Sequence, residues 1–227
     1  MKMLQANAGV RDFLLTNFEG GGSIGPFLVL AQKLLARGHK VRVMSDEANR
    51  PEFEAIGAEF IAWTRAPNRL DRSRYTDVCR DWEAPGPDGL KRWIDGVFCG
   101  PALEAARDVM DELRRRPADL AICIDFVVGA GIACEAMGQN YVWLACNPLF
   151  PPFPGATPMG MGLRPARSEA ERAEYAAIGE GLVEIFDHGL PALNRAREAL
   201  GLAPLDHMFE AWSHAPTFVA SARASST

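Results

Sequence analysis

Short apolar runs alternate with helical spacing of apolar residues over most of the chain. The predicted strands cover residues 11–16, 40–45, 58–63, 119–124, 141–146 and 217–220. The predicted helices cover residues 27–37, 49–56, 89–98, 101–116 and 126–137, and residues 168–200 with a break near Gly189 and Pro191. Because strands and helices alternate with short turns, the pattern indicates an α/β fold. We expect a Rossmann-like parallel sheet with helices on both faces.

Two long segments interrupt this alternation. Residues 64–87 form a polar excursion that contains Asp71, Arg72 and Trp82, and residues 148–165 are rich in Pro, Gly, Met and Phe. Excursions of this length in a compact domain are usually functional loops or disordered segments. The second one follows the carboxyl end of a predicted strand, where open α/β sheets bind their ligands.

Composition narrows the class of protein. The 227 residues are 48% hydrophobic and 23% charged, with a net charge of −5, which is typical of a globular protein and argues against nucleic acid as the main partner. No apolar run reaches membrane-spanning length, and we expect a reduced, cytoplasmic protein. The first ten residues read as a loose leader and residues 221–227 as an unstructured tail.

The five cysteines predict no metal site. No two of them have the spacing of a zinc ligand pair. Cys123, Cys134 and Cys146 lie in apolar segments and are predicted to be small core residues.

A glycine-rich loop, residues 17–26, lies between the first strand and the first helix. Gly20, Gly22 and Gly25 satisfy the dinucleotide-binding pattern G-x-G-x-x-G, and Asp46 follows the second strand where a ribose-binding acid would lie. Three residues separate the strand from the first glycine, however, and Pro26 is predicted to be the first helical residue, which leaves Gly25 outside the helix. An NAD(P)-binding Rossmann protein is therefore an alternative that these positions disfavour.

The same loop contains a second motif. Residues 21–25 fit G-x-S-x-G, the nucleophile elbow, with Ser23 as the nucleophile. The elbow places its serine directly after a strand, whereas Ser23 lies well beyond Thr16. His188, His207 and His214 follow later as candidate bases, but each is more often a surface residue or a helix-end residue.

Residues 22–41 carry a third pattern, which resembles a known family. They begin with glycine, Ser23, two residues and Pro26, continue in a helix rich in leucine and alanine, and end in Gly38, His39 and a strand. This resembles the opening of the nucleotide-sugar-dependent glycosyltransferases of the macrolide, glycopeptide and flavonoid type, which are related to the UDP-glucuronosyltransferases. Residues 53–60, 117–138 and 193–202 resemble later segments of the same family, so the likeness covers nearly the whole chain.

The resemblance implies a fold and a function. Residues 1–227 would be the single N-terminal, acceptor-binding domain, one half of a GT-B architecture, and the donor-binding domain would be absent. The whole enzyme would move a sugar with inversion from a nucleotide sugar to a hydroxyl of a small lipophilic acceptor. No cofactor is expected, and the nucleotide sugar would bind only with the missing domain or subunit. The half alone is expected to be inactive and to self-associate through its exposed face.

The resemblance also assigns roles to residues. The family has its catalytic base at the position of Ser23, and a serine hydroxyl is not a base at neutral pH. Asp125 occupies the position of the aspartate that orients the base, although it could equally cap the following helix. If catalysis occurs, Asp125 or Glu19 would act on the acceptor directly or through water. The alternative is a non-catalytic small-molecule-binding module in which Ser23 marks lost chemistry.

Apolar and aromatic residues near the strand ends are candidates for binding the acceptor. They are Phe18, Gly22, Ile24, Phe126, Asn147 and Phe150. Phe18 and Phe150 are the preferred ones because they follow the first and fifth strands. His39 is predicted to cap or pack at a helix end and to take no part in catalysis.

Overall fold

The computed structural model describes residues 9–84, 86–146, 157–158 and 161–220. A six-stranded parallel sheet has the order β3-β2-β1-β4-β5-β6. The strands are β1 (Asp12–Thr16), β2 (Lys40–Ser45), β3 (Glu59–Ala62), β4 (Leu120–Ile124), β5 (Tyr141–Ala145) and β6 (Thr217–Val219). All six predicted strands and the predicted Rossmann-like sheet are thus confirmed.

Seven α-helices connect the described strands. They are α1 (Ile24–Leu35), α2 (Arg50–Ala55), α3 (Pro87–Trp93), α4 (Ala102–Arg115), α5 (Val128–Met137), α6 (Glu169–Asp187) and α7 (Leu190–Ala199). The predicted break between the last two is confirmed, since α6 ends just before Gly189 and α7 has Pro191 in its first turn. Shorter 3₁₀ segments cover Glu47–Asn49, Arg74–Thr76, Asp81–Glu83 and Met208–His214.

The direction of the strand order reverses at the pair β1 and β4. Right-handed crossovers therefore place α1 and α2 on one face of the sheet and the helices of the second half on the other. On that second face α4 packs against α5. They approach closely because Gly129 lies against the Ala102 carbonyl, where a Cβ atom would be only 2.2 Å from the oxygen. The reversal point is where open α/β sheets bind ligands.

The first helix begins earlier than the sequence predicts. It starts at Ile24 with Ser23 as its N-cap, so Pro26 is the third helical residue and Gly25 lies inside the helix. The prediction that Gly25 is outside the helix was wrong. Proline needs no amide partner anywhere in the first turn of a helix, so Pro26 could not distinguish its first position from its third.

The predicted helix over residues 89–98 has two parts. The α-helix α3 ends at Trp93, and a π-helix follows over Ile94–Phe98. Its wider turn is closed by a 2.8 Å hydrogen bond from the Cys99 amide to the Ile94 carbonyl. Short π-helical segments inside helices occur frequently at functional sites.

A row of aromatic rings runs through the second half of the core. Successive ring centroids lie 4.7–6.0 Å apart in largely edge-to-face or tilted contacts. The members in order are Phe18, Phe126, Phe98, Phe186, Phe209 and Trp212. The row connects the loop after β1 to the last 3₁₀ segment.

The amino edge of the sheet contains a buried ion cluster. Arg42 is 1% exposed; it pairs with Glu112 and, at 2.8 Å, with Asp12, and donates to the carbonyls of Arg116 and Pro117. Buried charges of this kind are stable only when every donor is paired. This cluster therefore joins β1, β2 and α4 and lies at the opposite edge from the loops described below.

Two further predictions concern the surface and the thiols. Beside the start of β1, His39 accepts a 3.3 Å hydrogen bond from the Arg11 amide and packs edge-on against Phe13, so its packing role is confirmed. Cys123 and Cys134 are fully buried, as predicted, whereas Cys146 is only half-buried beside the end of β5, so the prediction that it is a core residue was wrong. No helix among the described residues has the length and apolar character to cross a membrane.

Candidate functional site

A cavity of about 340 Å³ opens at the carboxyl edge of the sheet. The loops after β1, β2 and β3, the π-helix and the start of α4 surround it. Its apolar wall includes Phe18, Trp63, Val78, Trp93, Val97 and Val127, and its polar wall includes Glu19, Asp46, Arg69, Arg72 and Asp77. An apolar, aromatic cleft with a few convergent polar groups is the usual form of a small-molecule site.

The glycine loop turns sharply to form one wall. Gly21 has a φ of +69°, which favours glycine. At Gly20 a Cβ atom would lie 2.5 Å from the Phe18 ring. The glycines therefore let the backbone fold over Phe18, so that this ring both lines the cavity and contacts Phe126, 5.5 Å away between centroids.

Glu19 is buried and fully engaged. Oε1 accepts a 3.0 Å hydrogen bond from the Gly21 amide, and Oε2 accepts one of 3.0 Å from Arg72 Nε. Arg72 also pairs with Glu52 at 2.5 Å and donates to Asn49. The carboxylate of Glu19 thus ties its own loop to the excursion after β3 and has no unused oxygen.

Asp46 lies at the centre of the polar wall. It follows β2 and is 4% exposed, and each of its oxygens accepts a 2.6 Å hydrogen bond from a backbone amide, those of Glu19 and Arg69. Burial raises the pKa of Asp46 to about 6, although the two amide hydrogen bonds oppose this rise. Sequence reasoning considered Asp46 only as a ribose ligand, and the structure gives its carboxylate to the backbone instead.

A second carboxylate fixes the start of the excursion. Asp108 on α4 accepts hydrogen bonds from the amides of Thr64, Arg65 and Ala66 at 2.9–3.1 Å and from the Thr64 hydroxyl at 2.6 Å. Burial acts to raise its pKa, but these hydrogen bonds prevail and lower it below the usual value. The wall that contains Ala66 and Pro67 is therefore anchored to the helix layer.

The π-helix forms the opposite wall. Gly96 and Val97 line the cavity. A Cβ atom at Gly96 would be 3.5 Å from the Val78 carbonyl oxygen and 3.6 Å from the Cys79 thiol. The excursion therefore packs against the helix at its glycine, which keeps both surfaces close.

Ser23 is buried beside the cavity and does not line it. Its hydroxyl donates a 3.0 Å hydrogen bond to the Phe18 carbonyl, and its own carbonyl contacts Asn17 Nδ2 at 3.5 Å and Cys146 Sγ at 3.7 Å. Its backbone is helical, with φ of −72°. β1 ends seven residues earlier, and no described histidine bonds to the Ser23 hydroxyl. The geometry of a nucleophile elbow is therefore not present.

Asp125 directly follows β4 and is 3% exposed. Burial raises its pKa to about 7, against the opposing amide hydrogen bonds from Asp125 itself and Phe126. Oδ1 is buried without a hydrogen-bond partner in the described part of the chain. The nearby Cys146 thiol has its pKa raised to about 12, first by burial and then by the Asp125 charge. Asp125, Cys146 and Ser23 thus meet where β4 and β5 end beside the start of α1.

The other candidate residues lie in different positions. Phe18 and Glu19 line the cavity, and Phe126 packs behind Phe18. Ile24 is buried in the first turn of α1, and Gly22 is exposed, with open space where a Cβ would be. Asn147 and Phe150 lie outside the described residues, as do most of the predicted leader and the tail.

Several lining residues were missed from the sequence. Trp63 is buried and donates from Nε1 to the Asn17 carbonyl at 3.1 Å, and Arg69 donates to the Glu19 carbonyl at 3.3 Å. The available signal for Arg69 was the long polar excursion itself, which the sequence predicts to be a functional loop or a disordered segment, and Trp63 ends the predicted third strand. Among the described residues no group of His, Cys, Asp and Glu side chains is arranged to hold a metal ion.

Sequence comparison relates the chain to one curated enzyme. No protein-family model matches the chain. The chain is 28% identical over 165 residues to 4'-demethylrebeccamycin synthase of Lentzea aerocolonigenes. The aligned region covers 73% of this chain and 39% of that protein.

Solved structures give the same result for the fold. The glycosyltransferase of kitacinnamycin aligns with a TM-score of 0.61 and 15% identity over 92% of this chain and 46% of its own. The calicheamicin glycosyltransferase CalG4 aligns with a TM-score of 0.57 and 17% identity. The alignment covers 93% of this chain and 46% of CalG4.

The fold is therefore one half of a GT-B architecture, as the resemblance predicted. The chain is similar to natural-product glycosyltransferases and spans less than half the length of these relatives.

Proposed function

We propose that this chain is the acceptor-binding half of an inverting glycosyltransferase that acts on a small lipophilic hydroxyl compound. The observation that carries the proposal is the aromatic cavity of about 340 Å³ at the carboxyl edge of the sheet. Val127, two residues after Asp125, lines this cavity; the Asp125 carboxyl group is itself buried outside the lining and follows β4 at the strand-order reversal, the usual ligand position in such sheets. In this proposal residues 1–227 form a single domain.

The cavity suits a planar, largely apolar acceptor. Its volume lies within the range of about 300–1,000 Å³ typical of small-molecule pockets. Phe18 and Trp93 meet edge-to-face, with centroids 5.9 Å apart, and offer aromatic surface for stacking. The name of the relative 4'-demethylrebeccamycin synthase is consistent with a natural-product substrate.

Asp125 is the proposed base. It removes the proton of the acceptor hydroxyl, directly or through one water. The freed oxygen forms a bond to the anomeric carbon while the bond from that carbon to the nucleotide diphosphate breaks, and the diphosphate leaves with the electron pair. Attack from the face opposite the leaving group inverts the configuration. A pKa of about 7 suits a base that works at neutral pH.

The hydrogen bonds of Glu19 and Ser23 favour Asp125 as the base. Both oxygens of Glu19 already accept hydrogen bonds, so removing a proton would require breaking one of them. The Ser23 hydroxyl donates to the Phe18 carbonyl, so it holds the glycine loop in position and does not act as a base. Asp125 Oδ1, in contrast, has no hydrogen-bond partner among the described residues.

The nucleotide sugar requires the second half. Both substrates must be held across one cleft for transfer, so the chain alone is expected to bind an acceptor and to transfer nothing. The expected partners are the hydroxylated acceptor and a donor-binding domain or subunit.

The first test separates the two substrates. Titration of the chain with 2-hydroxycarbazole should quench tryptophan fluorescence, because Trp63 and Trp93 lie in the cavity wall, whereas UDP-glucose and TDP-glucose should leave it unchanged. Tight nucleotide-sugar binding by the chain alone would overturn the assignment to the acceptor side.

The second test measures transfer. The chain joined to the carboxyl-terminal half of 4'-demethylrebeccamycin synthase is incubated with each nucleotide sugar and 2-hydroxycarbazole, and the product is detected by mass spectrometry. Asp125→Asn should lower the rate by at least about a hundredfold, while Glu19→Gln should have a smaller effect. Binding without transfer by a folded chimera would favour the non-catalytic binding module.

A further inference from the structure

Asp46 joins two adjoining loops of the cavity wall. Its Oδ2 atom accepts from the Glu19 amide in the loop after β1, and its Oδ1 atom accepts from the Arg69 amide in the excursion after β3, each at 2.6 Å. One carboxylate at the end of β2 therefore connects the loops of both neighbouring strands. Both of its partners are backbone groups, so the connection fixes the chain path itself.

The residues after Asp46 support the same arrangement. The Glu47 amide donates to Asn68 Oδ1 at 2.7 Å, and the Ala48 amide donates to the Arg69 carbonyl at 2.9 Å. Residues 46–48 thus bind the excursion through three hydrogen bonds. Asp46 adds the connection to the loop after β1.

The two connected amides lie next to residues that contact the cavity. Glu19 follows Phe18, whose ring forms part of the aromatic wall, and the Arg69 side chain lines the polar wall. A change in either hydrogen bond would therefore move a surface that a bound acceptor touches. Asp46 itself needs no contact with the acceptor to have this effect.

We propose that Asp46 is a positioning residue of the acceptor cavity, whose ionised carboxylate holds the loop after β1 and the excursion together and whose protonation releases one of them. The inference rests on the proposed function, because it takes the acceptor as the ligand of this cavity. It concerns how the cavity keeps its shape and is separate from the choice of base.

Burial and the charged groups around Asp46 together set the pH at which this release occurs. Glu19 lies on the loop after β1 and Arg69 on the excursion; Glu19 pairs with Arg72, and Arg69 with Asp77 at 3.5 Å. Burial and the Glu19 charge raise the pKa of Asp46 to about 6, while the amide hydrogen bonds and Arg69 lower it. Below that pH the carboxyl group is neutral, so both amides lose a charged acceptor and both hydrogen bonds weaken. The oxygen that carries the proton becomes a poor acceptor, so the hydrogen bond to that oxygen is released.

The direct test follows the two amides by NMR. In ¹H–¹⁵N spectra of the full chain between pH 7.5 and 5, the Glu19 and Arg69 amide protons should move upfield together with a common midpoint near 6. In Asp46→Asn the titration should disappear. Amide positions that do not change with pH in the wild-type chain would overturn the proposal, even if the variant failed to fold.

The binding test uses 2-hydroxycarbazole, whose phenol-type hydroxyl stays protonated over this pH range. Its affinity, measured by equilibrium dialysis, should be about three- to tenfold weaker at pH 5 than at pH 7.5, the effect of about one hydrogen bond. Asp46→Asn should show the weaker affinity at both pH values.

Asp71→Asn is the matched control. Asp71 lies in the same excursion, where its carboxylate accepts from Ser73 and Thr76, and it does not line the cavity. This variant should keep the wild-type pH profile. An Asp71 variant that lost the profile, or an Asp46 variant that kept it, would overturn the proposal. Absence of probe binding at every pH would instead count against the proposed function, while the amide titration would still decide the role of Asp46.

Discussion

Trp212 donates its indole N–H to the main-chain carbonyl of Asp125 at 3.0 Å. The two residues are 87 positions apart in the sequence. The bond connects the last 3₁₀ segment, which precedes β6, to the turn that carries the proposed base. It therefore couples the orientation of that turn to the packing of the aromatic row behind the sheet.

Trp212→Phe should keep the aromatic packing and remove this hydrogen bond. We expect the free energy of unfolding to fall by about 1–3 kcal/mol, because the buried Asp125 carbonyl loses its indole partner. Urea denaturation measures the loss. Trp82→Phe is the control: Trp82 is 40% exposed and should change stability by less than about 0.5 kcal/mol. Equal losses in both variants would contradict a specific role for the Trp212 hydrogen bond.

Asp125 should make stability depend on pH in a direction unusual for an aspartate. Its folded-state pKa of about 7 lies above the unfolded value of 3.8, so the folded state binds more protons between these values. Its contribution to stability is therefore present at low pH and is lost as the pH rises towards 7. Between pH 5 and pH 8, Asp125→Asn should gain on the order of 2 kcal/mol relative to wild type.

Asp119 is the control in the same denaturation series, because its contribution to stability depends on pH in the opposite direction. Its pKa is lowered by the hydrogen bond from the Asp12 amide and by Arg11. Its contribution is present at neutral pH and is lost as the pH falls through the acid range. Asp119→Asn should therefore differ most from wild type at neutral pH. An Asp125 variant that followed the Asp119 trend would show that Asp125 is ionised at low pH.

Gly96→Ala should narrow the acceptor cavity without unfolding the protein. The added methyl group would meet the Val78 carbonyl at 3.5 Å and the Cys79 thiol at 3.6 Å, both ordinary contact distances. We expect weaker binding of 2-hydroxycarbazole and little change in binding of the smaller 2-naphthol, measured by equilibrium dialysis. Identical losses for both ligands would indicate that the excursion has moved as a whole.

Two glycine-to-alanine variants should change stability in opposite directions. At Gly129 the new Cβ would lie 2.2 Å from the Ala102 carbonyl oxygen, so α4 and α5 would have to separate, at a cost of about 2–3 kcal/mol. At Gly181, inside α6, nothing lies within 4 Å of the new Cβ. Alanine there should stabilise the protein by about 0.5–1 kcal/mol through helix propensity. Thermal unfolding of both variants checks the two signs.

The fold was largely predictable because each strand and helix carries a local signal. Leu14 and Leu15 in β1 are fully buried in the centre of the sheet, and apolar runs of this kind are typical of parallel strands covered on both faces. The start of α1 was not predictable from Pro26, since several positions in the first turn accept proline equally. The π-helix over Ile94–Phe98 was predicted as part of one helix over residues 89–98, because five residues are too few for the apolar spacing to distinguish a wider turn from an α-helical one.

The candidate site was only partly predictable. Phe18 and Glu19 follow β1 and line the cavity, as a position at the carboxyl end of a strand predicts. Asp125, which the family resemblance singled out, follows β4 at the same edge of the sheet, and its role stays a prediction. Trp63, at the end of a predicted strand, and Arg69, in the excursion, were missed because nothing local in the sequence indicates which loop each will contact. Asp46 was recognised as a residue at a strand end, but its partners are backbone amides 27 and 23 residues away.

The sequence by itself determined the order of elements, the parallel sheet and the family likeness around Ser23, because hydrophobic periodicity and short motifs are local properties. Only the tertiary structure decided which side-chain oxygens of the candidate residues have hydrogen-bond partners. It engages both oxygens of Glu19 and Asp46, turns the Ser23 hydroxyl to a carbonyl, and leaves Asp125 Oδ1 without a partner among the described residues. The physical reason is that burial and hydrogen bonding set the reactivity of a carboxylate, and both depend on residues distant in the sequence.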